Sequence, residues 1–350
     1  MQSKHFFVII LILFAFTNCK SVKNKSLEYK SINDFAQGST YSITYSSPSN
    51  NYNVPDSVTK YLRQIDLSIS GYNKESILSA INRGENVPLD NIFIDIFNKS
   101  YEIYKKSNGY FDVSAGPLFN LWGFGFKNGD TITQVAIDSL KQFIGMDKVR
   151  IIKDSTSSPT CIKYFLQKDD PRIQLNFNAI AQGYSCDYIA QKFELMGIEN
   201  YLIEIGGEIY CKGKNAKGTE WKIGIDKPID GNNIPGENLE CIILLSNKGL
   251  VTSGNYRKFY VKEGKKYSHT IDPISGYPVS HSLLSATVVA EDATIADAFA
   301  TYFMVIGLDK SKEILNSDKS LQAILVYGDG DNDNMKTYST DLIKLYKNEQ

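Results

Sequence analysis

Hydrophobic and polar positions change their period repeatedly along this chain, and each change marks an element. Residues 36–46 alternate as a strand does, whereas 55–83 and 91–107 carry apolar residues at helical spacing with polar breaks. Residues 178–197 predict another helix. YLIEI at 201–205 and the segment around Trp221 alternate like strands, and 256–269 read as a hairpin turning near Gly264. A strand over 284–289 follows, then a helix carrying Asp297, then a last hairpin around GDGDNDN. No internal repeat or low-complexity tract interrupts this order. Intermixed helices and hairpins predict an α+β fold with substantial antiparallel sheet.

The first residues follow a different logic. Lys4 and His5 precede the apolar run FFVIILILFAF, which is short for a spanning helix and has the length of a signal-peptide core. Residues 1–18 are therefore expected to be a signal peptide. The run ends at Phe16-Thr17-Asn18-Cys19, which resembles the lipobox of a bacterial lipoprotein, with Cys19 as the lipidated mature N-terminus. Asn18 is bulkier than the usual small residue and Phe16 replaces Leu; a plain secretory signal or an uncleaved anchor is the alternative. Residues 19–33, polar and Lys-bearing, would form a tether, and 34–350 one folded domain. Export to the periplasmic side of a bacterial membrane follows as the expected location.

Composition narrows the class. The chain is 42% hydrophobic, enough for a sizeable core, and its net charge of −1 leaves no electrostatic footprint for nucleic acid. Of the five cysteines, Cys161, Cys186, Cys211 and Cys241 lack the close spacing of a zinc site, so buried free thiols are expected. The Asp-rich turn at Asp329, Asp331 and Asp333 is no calcium loop, because the sixth and twelfth positions counted from Asp329 hold Asn334 and Thr340 instead of Gly and Glu. Gly123 and Gly125 lack the remaining spacing of a dinucleotide fingerprint.

The chemistry concentrates in a few segments. In ADAFAT, Asp297 and Thr301 stand four residues apart on one helix face, a carboxylate and a hydroxyl that could hold a hard cation such as magnesium. DVSAGPLFNLWGFG joins a carboxylate to aromatic residues that could wall a flat heterocycle. QLNFNAIAQGYSCD brings Asn176 and Asn178 into a helix whose Ala and Gly positions admit a ligand or a neighbouring backbone. YLIEIGGEI ends a strand in a Gly pair, suited to a ligand contact or a bulge. Each of these last three segments alone is equally well explained by packing. His269 is sharper: one of three histidines, followed by Asp272, Pro273 and Gly276, it can act as a base near neutral pH. His281 has no comparable setting.

Taken in order, QGSTY, SGYNKESILSAIN, GYFDVSAGPLFNLWGFG, NAIAQGYSCD, IEIGGE, TSGNY, SHTIDPISGYP and ADAFAT resemble the ApbE family of magnesium-dependent FAD:protein FMN transferases. The resemblance covers nearly the whole chain after its signal. It implies a T-fold-like α+β architecture of antiparallel sheets and packed helices. Carried over residue by residue, it implies a metal site of the Asp297 and Thr301 side chains with the Ala179 backbone carbonyl. The flavin pocket would include Gln37, Gly38, Tyr72, Phe111, Asp112, Gln182, Asp187 and Ile271. Two of these depart from the family, which commonly has Met at Gln37 and Lys at Gln182; a neutral amide at 182 removes a cation that could pair with the pyrophosphate.

The activity so implied is attack by a Thr hydroxyl of an acceptor flavoprotein on the FMN-side phosphorus of FAD, with AMP leaving and His269 taking the hydroxyl proton. Two rivals share parts of the site. An FAD pyrophosphatase would use water in place of Thr, and a non-catalytic flavin-binding lipoprotein would need the aromatic pocket without Asp297, Thr301 and His269 together.

Overall fold

Strands 283–290 and 322–328 are mostly apolar and buried on both faces, as a strand is when both sides of its sheet are covered. The computed structural model, which describes residues 27–346 except 49, 125–131, 155–161, 230, 233, 256–258, 263–264 and 330–334, bears this out. Its first half runs β1 (Tyr29–Ala36), β2 (Ser39–Ser46), α1 (Val54–Ile69), α2 (Ile77–Asn82), α3 (Asn91–Lys106), α4 (Gly116–Leu121), α5 (Gln134–Lys141), β3 (Val149–Lys153) and β4 (Tyr164–Lys168). Then follow α6 (Ala181–Leu195), β5 (Tyr201–Ile205), β6 (Glu208–Lys212), β7 (Trp221–Asp226), β8 (Leu239–Leu245), β9 (Lys248–Gly254), β10 (Phe259–Lys262) and β11 (Lys265–Ser268). The chain ends with β12 (Leu283–Ala290), α7 (Ala293–Ile306), α8 (Leu308–Ser317), β13 (Gln322–Gly328) and β14 (Met335–Ser339).

Eight strands form one antiparallel sheet in the order β1-β2-β5-β6-β9-β12-β13-β14. On one face, Val288, Ala290, Ala323 and Leu325 meet α7 through Phe299 and Phe303, with α3 behind. Toward the β2–β5 end the same face is covered by α6 and α1, through Ile189, Phe193, Val58 and Leu62. On the other face, Val289, Ile324 and Val326 meet the β7–β8 hairpin through Trp221, Ile223 and Ile243. A smaller core joins α4 and α5 to Ile271. This is the α+β architecture expected, with α6 and α7 side by side on the sheet.

Local sequence explains most boundaries. Asp90 accepts the Phe93 N–H at 2.8 Å and starts α3 within a residue of the expected helix. The helical pattern over 55–83 splits, because the Ser70 carbonyl takes the Ser76 hydroxyl at 2.6 Å and Ser76 then caps α2. Gln37 and Gly38, both at positive φ, make a two-residue hairpin between β1 and β2, so the strand expected over 36–46 begins at Ser39. The expected tether through residue 33 also needs correcting at its end. Tyr29–Ala36 is a strand in register with Ser46–Ser39, polar in sequence because it lies at the sheet edge. Cys19, Cys161, Gly125, Gly264, Asp331 and Asp333 lie outside the described residues. Cys186 and Cys211 are buried free thiols, as expected, and Cys241 is a half-buried one.

Candidate functional site

Asp297 lies on the face of α7 turned to α6, and it is 5% exposed. Its Oδ2 accepts the Gly183 N–H at 3.0 Å. In a continuing helix that N–H would serve the Ala179 carbonyl four residues back. Ile180 has left helical geometry at the start of α6, and among the described residues no backbone N–H takes the Ala179 carbonyl. The helices can approach this closely only because residue 183 is glycine: a Cβ there would stand 2.3 Å from the Ala293 carbonyl oxygen and 2.8 Å from the Asp297 Cβ. Burial pushes the Asp297 carboxyl well above its ordinary range, and the charge of Asp187 adds to the shift. No lysine or arginine pairs with it among the described residues. A buried carboxylate beside a released carbonyl is a donor pair for a hard cation.

One turn along α7, the Thr301 hydroxyl lies 3.5 Å from the Ser253 hydroxyl at the end of β9. Two residues on, Asn255 accepts the Thr270 hydroxyl at 2.8 Å through its Oδ1. His269 is thus tethered, through its neighbour, to the strand end that faces Thr301. Its half-buried ring turns an edge to Phe124 with centroids 6.4 Å apart. The loop beyond is tightly closed: Val279 N–H donates to the Thr270 carbonyl at 3.0 Å, and the Trp122 indole donates to the Gly276 carbonyl at 2.9 Å. Gly276 has φ 83° and no room for a side chain, since a Cβ would meet Ile137 at 2.5 Å. His281, by contrast, is bonded to the Met304 carbonyl.

Three of the residues expected at the flavin, Tyr72, Gln37 and Gln182, gather along the start of α6. Tyr72 is 69% exposed, and its hydroxyl accepts the Asn178 amide at 3.0 Å, next to Ala179. The Gln37 amide reaches from the β1–β2 hairpin to the Ser185 hydroxyl at 2.7 Å, while its Oε1 is buried with no partner among the described residues. Gln182 lies over the β5–β6 turn, where Gly206 and Gly207 have φ of 70° and 109°; a Cβ on Gly206 would fall 2.0 Å from the Gln182 Nε2. A cleft of ≈ 260 Å³ between the β1–β2 hairpin and α1 opens beside Gln37, Arg63 and Asp66. Asp66 accepts the Asn73 amide at 2.5 Å, which links that cleft to the loop of Tyr72.

Other expected residues have different surroundings. The Phe111 side chain is 2% exposed in the main core and that of Ile271 is 1% exposed in the smaller one, so neither ring nor alkyl group faces a ligand. Their backbone alone is left for any flavin contact. Asp112 is spent locally, its Oδ1 accepting the Ser114 N–H at 2.8 Å and hydroxyl at 2.6 Å, with burial raising its pKa to about 6. The Asp187 carboxylate is given to the first turn of α7. Sequence reading passed over Ser253 and Ser185, although both lie within the motifs it singled out. Among the described residues no group of three or more His, Cys, Asp or Glu is placed to hold a metal, and the donors at Ala179, Asp297 and Thr301 include only one such side chain.

Comparison with known proteins places the chain by sequence and by fold. The chain is 33% identical over 286 residues to the FAD:protein FMN transferase of Escherichia coli (strain K12), covering 80% of this chain and 78% of that protein. With the FAD:protein FMN transferase of Haemophilus influenzae it shares 31% over 316 residues, covering 87% and 88%. The solved structure of the flavin transferase ApbE from Vibrio cholerae superposes with a TM-score of 0.76 at 27% identity, covering 90% of this chain and 98% of that one. The apo form of the Pseudomonas stutzeri flavinyl transferase ApbE gives 0.77 at 28% identity, covering 90% and 95%. The sequence profile of the ApbE family matches residues 37–325, and with the overall fold in agreement, the chain belongs to the ApbE family.

Proposed function

We propose that this protein transfers FMN from FAD to a threonine side chain of a partner flavoprotein, releases AMP, and holds magnesium at the corner of α6 and α7. The observation that carries the reading is that buried Asp297 takes the Gly183 N–H and so leaves the Ala179 carbonyl without a backbone donor among the described residues, with the Thr301 hydroxyl one helical turn further along α7. These are hard oxygen donors from α7 and from the turn into α6, the kind magnesium takes while keeping positions for water and phosphate oxygens. When bound, magnesium would offset negative charge on the pyrophosphate. The names and coverage of the relatives support the same substrate.

The chain's own groups divide the remaining work. The exposed Tyr72 ring offers a stacking face for a flat heterocycle. Gln37, Gly38 and Gln182 border the start of α6 with neutral polar groups, where the flavin nucleotide would lie. His269 accepts the threonine proton as the new Oγ–P bond forms and the bond to AMP breaks. Residues 1–18 act as an export signal and Cys19 as the lipid anchor, keeping the enzyme on a bacterial membrane facing the periplasm. Cys19→Ser should abolish labelling by a radioactive fatty acid; unchanged labelling would remove Cys19 from the proposal.

The deciding experiment incubates the mature protein with FAD, magnesium and a flavoprotein subunit from the same cell. A covalent adduct heavier by one FMN moiety, at a threonine, with AMP released in equal amount, is the expected result. Rapid release of free FMN and AMP without any adduct would establish a pyrophosphatase instead, and tight FAD binding with neither product a flavin-storage protein.

A further inference from the structure

α6 grips α7 at two levels. At the lower level, the Gly183 N–H donates to Asp297 Oδ2 at 3.0 Å. One turn further along α6, Asp187 Oδ1 accepts the Ala293 N–H at 2.9 Å and Oδ2 accepts the Thr294 N–H at 2.8 Å and the Thr294 hydroxyl. The first N–H groups of a helix have no partner within it, and here two of them are satisfied by a carboxylate from the neighbouring helix. The third, on Ile295, is taken by Asp292 at 2.7 Å, a cap from α7's own sequence. The two carboxylates therefore differ in kind. Asp292 stabilises the end of α7, whereas Asp187 also fixes where that end lies against α6.

We infer that Asp187 is a positioning residue for the metal site, holding α7 in register with α6 so that Asp297 and Thr301 meet the Ala179 carbonyl. The inference rests on the magnesium reading above and assigns Asp187 a role other than flavin contact. Its physical basis is that the donors are split between α7 and the turn that leads into α6. A ligand set divided in this way keeps its geometry only while the helices keep their offset. Gly183 fixes their separation, since nothing larger than hydrogen fits against Ala293, but a smooth contact of this kind resists approach and not sliding. The bonds from Asp187 to Ala293 and Thr294 resist sliding and rotation. Asp297 is one turn beyond Ala293, so a shift at the helix start is carried directly to the donor.

Asp187→Asn keeps the shape and removes the charge, and Asp292→Asn and the uncharged Thr294→Val separate loss of charge from loss of the hold. The amide keeps one acceptor oxygen but turns an NH2 toward a backbone N–H or the Thr294 hydroxyl, so the two-point hold is lost with little change in volume. Manganese binding by the full-length mature protein, followed by electron paramagnetic resonance in the absence of FAD, should weaken by about 10–100-fold, the range typical for groups that orient metal ligands. Thr294→Val, which removes only the hydroxyl bond, should weaken it less. Asp292→Asn should lower the unfolding temperature while leaving manganese affinity close to wild type, because its bond does not cross to α6. Unchanged manganese affinity in Asp187→Asn, or equal weakening in Asp292→Asn, overturns the assignment. If Asp187→Asn does not fold, Thr294→Val decides, with unchanged affinity counting against it. A wild-type protein that binds no manganese refutes the metal site itself, whereas one that binds it equally in all variants refutes only the role of Asp187.

Discussion

Asp297 and His269 are held in opposite ways. Asp297 is 5% exposed, on a long helix whose first three N–H groups are bonded to carboxylates and whose flank is pressed against Gly183. His269 is half-buried, just past the end of the short strand β11, and its neighbour Thr270 is bonded to Asn255 at the end of β9. Packing confines the first and a loop presents the second. The difference suits the chemistry proposed for them: a cation ligand gains from a fixed, desolvated position, whereas a base that must meet a hydroxyl on another protein has to be reachable.

The largest effects should come from removing either group, with opposite signatures. Asp297→Ala should lower magnesium-dependent turnover of FAD by ~10²–10³-fold or more, the loss typical of removing a main source of charge stabilisation. Its apo-protein should not be weakened in the same proportion. The Asp297 pKa is raised from 3.8 in the fold, so below that value the carboxyl is neutral in both states and costs nothing; as pH rises toward its folded pKa, ionisation in the unfolded chain drains stability from the fold. The variant lacks that drain. Its unfolding midpoint in urea, measured without metal, should therefore gain on wild type between acid and neutral pH, and a constant difference between the two would mean the carboxylate is not desolvated.

His269→Ala should slow transfer by ~10²–10⁴-fold with FAD and magnesium binding nearly intact, as expected for loss of a general base. Rapid-mixing measurements separate binding from transfer. Lost FAD binding with normal turnover of whatever is bound would make His269 a ligand-holding residue and dissolve the contrast with Asp297.

Gly183→Ala addresses the confinement directly. The new methyl group would be placed 2.3 Å from the Ala293 carbonyl oxygen, a backbone atom with no freedom to swing aside. α7 must retreat, at a cost of ~1–3 kcal/mol for overpacking. Urea unfolding of the metal-free protein reads that cost, and a variant as stable as wild type would show the α6–α7 contact to be looser than its geometry implies.

What the sequence made legible follows the same divide. The Asp297–Thr301 spacing, the helix of 91–107 and the strand at 284–289 were readable because local periodicity and an N-cap such as Asp90 carry enough information on their own. β1 was not. YKSINDFA sets Tyr29, Ile32, Phe35 and Ala36 among polar residues without a strand's alternation, and pairing with β2 at the sheet edge makes it a strand. Asp187 looked like a ligand because it is a carboxylate inside a motif; its partners lie 106 and 107 residues away at the start of another helix, which no local pattern records. The resemblance puts Phe111 and Ile271 in the flavin pocket as motif residues, and both side chains serve cores, a distinction between side chain and backbone that a motif does not carry.

The smallest expected effect tests the flavin side of the contrast, where this chain departs from its family. Gln182 lies against the Gly206 turn at the start of α6, two residues from the Ala179–Ile180 break, and offers a neutral amide where the family commonly has a cation. Gln182→Lys keeps a long flexible stem that can follow the same path over Gly206 and ends it in a compact positive charge. If this position faces the pyrophosphate, the new charge-assisted bond should tighten FAD binding by roughly 1 kcal/mol, about fivefold, because such bonds are about twice as strong as neutral ones. The gain should shrink as salt is raised from millimolar to physiological strength, since the residue is half-exposed and its field is screened over about 8 Å. Adenosine diphosphate should show the same gain and riboflavin none, which separates a phosphate contact from a flavin-ring contact. Equal tightening of riboflavin would place residue 182 against the ring, and no change with any of the three would remove it from the pocket and leave Gln37 and Tyr72 to define that side of the site.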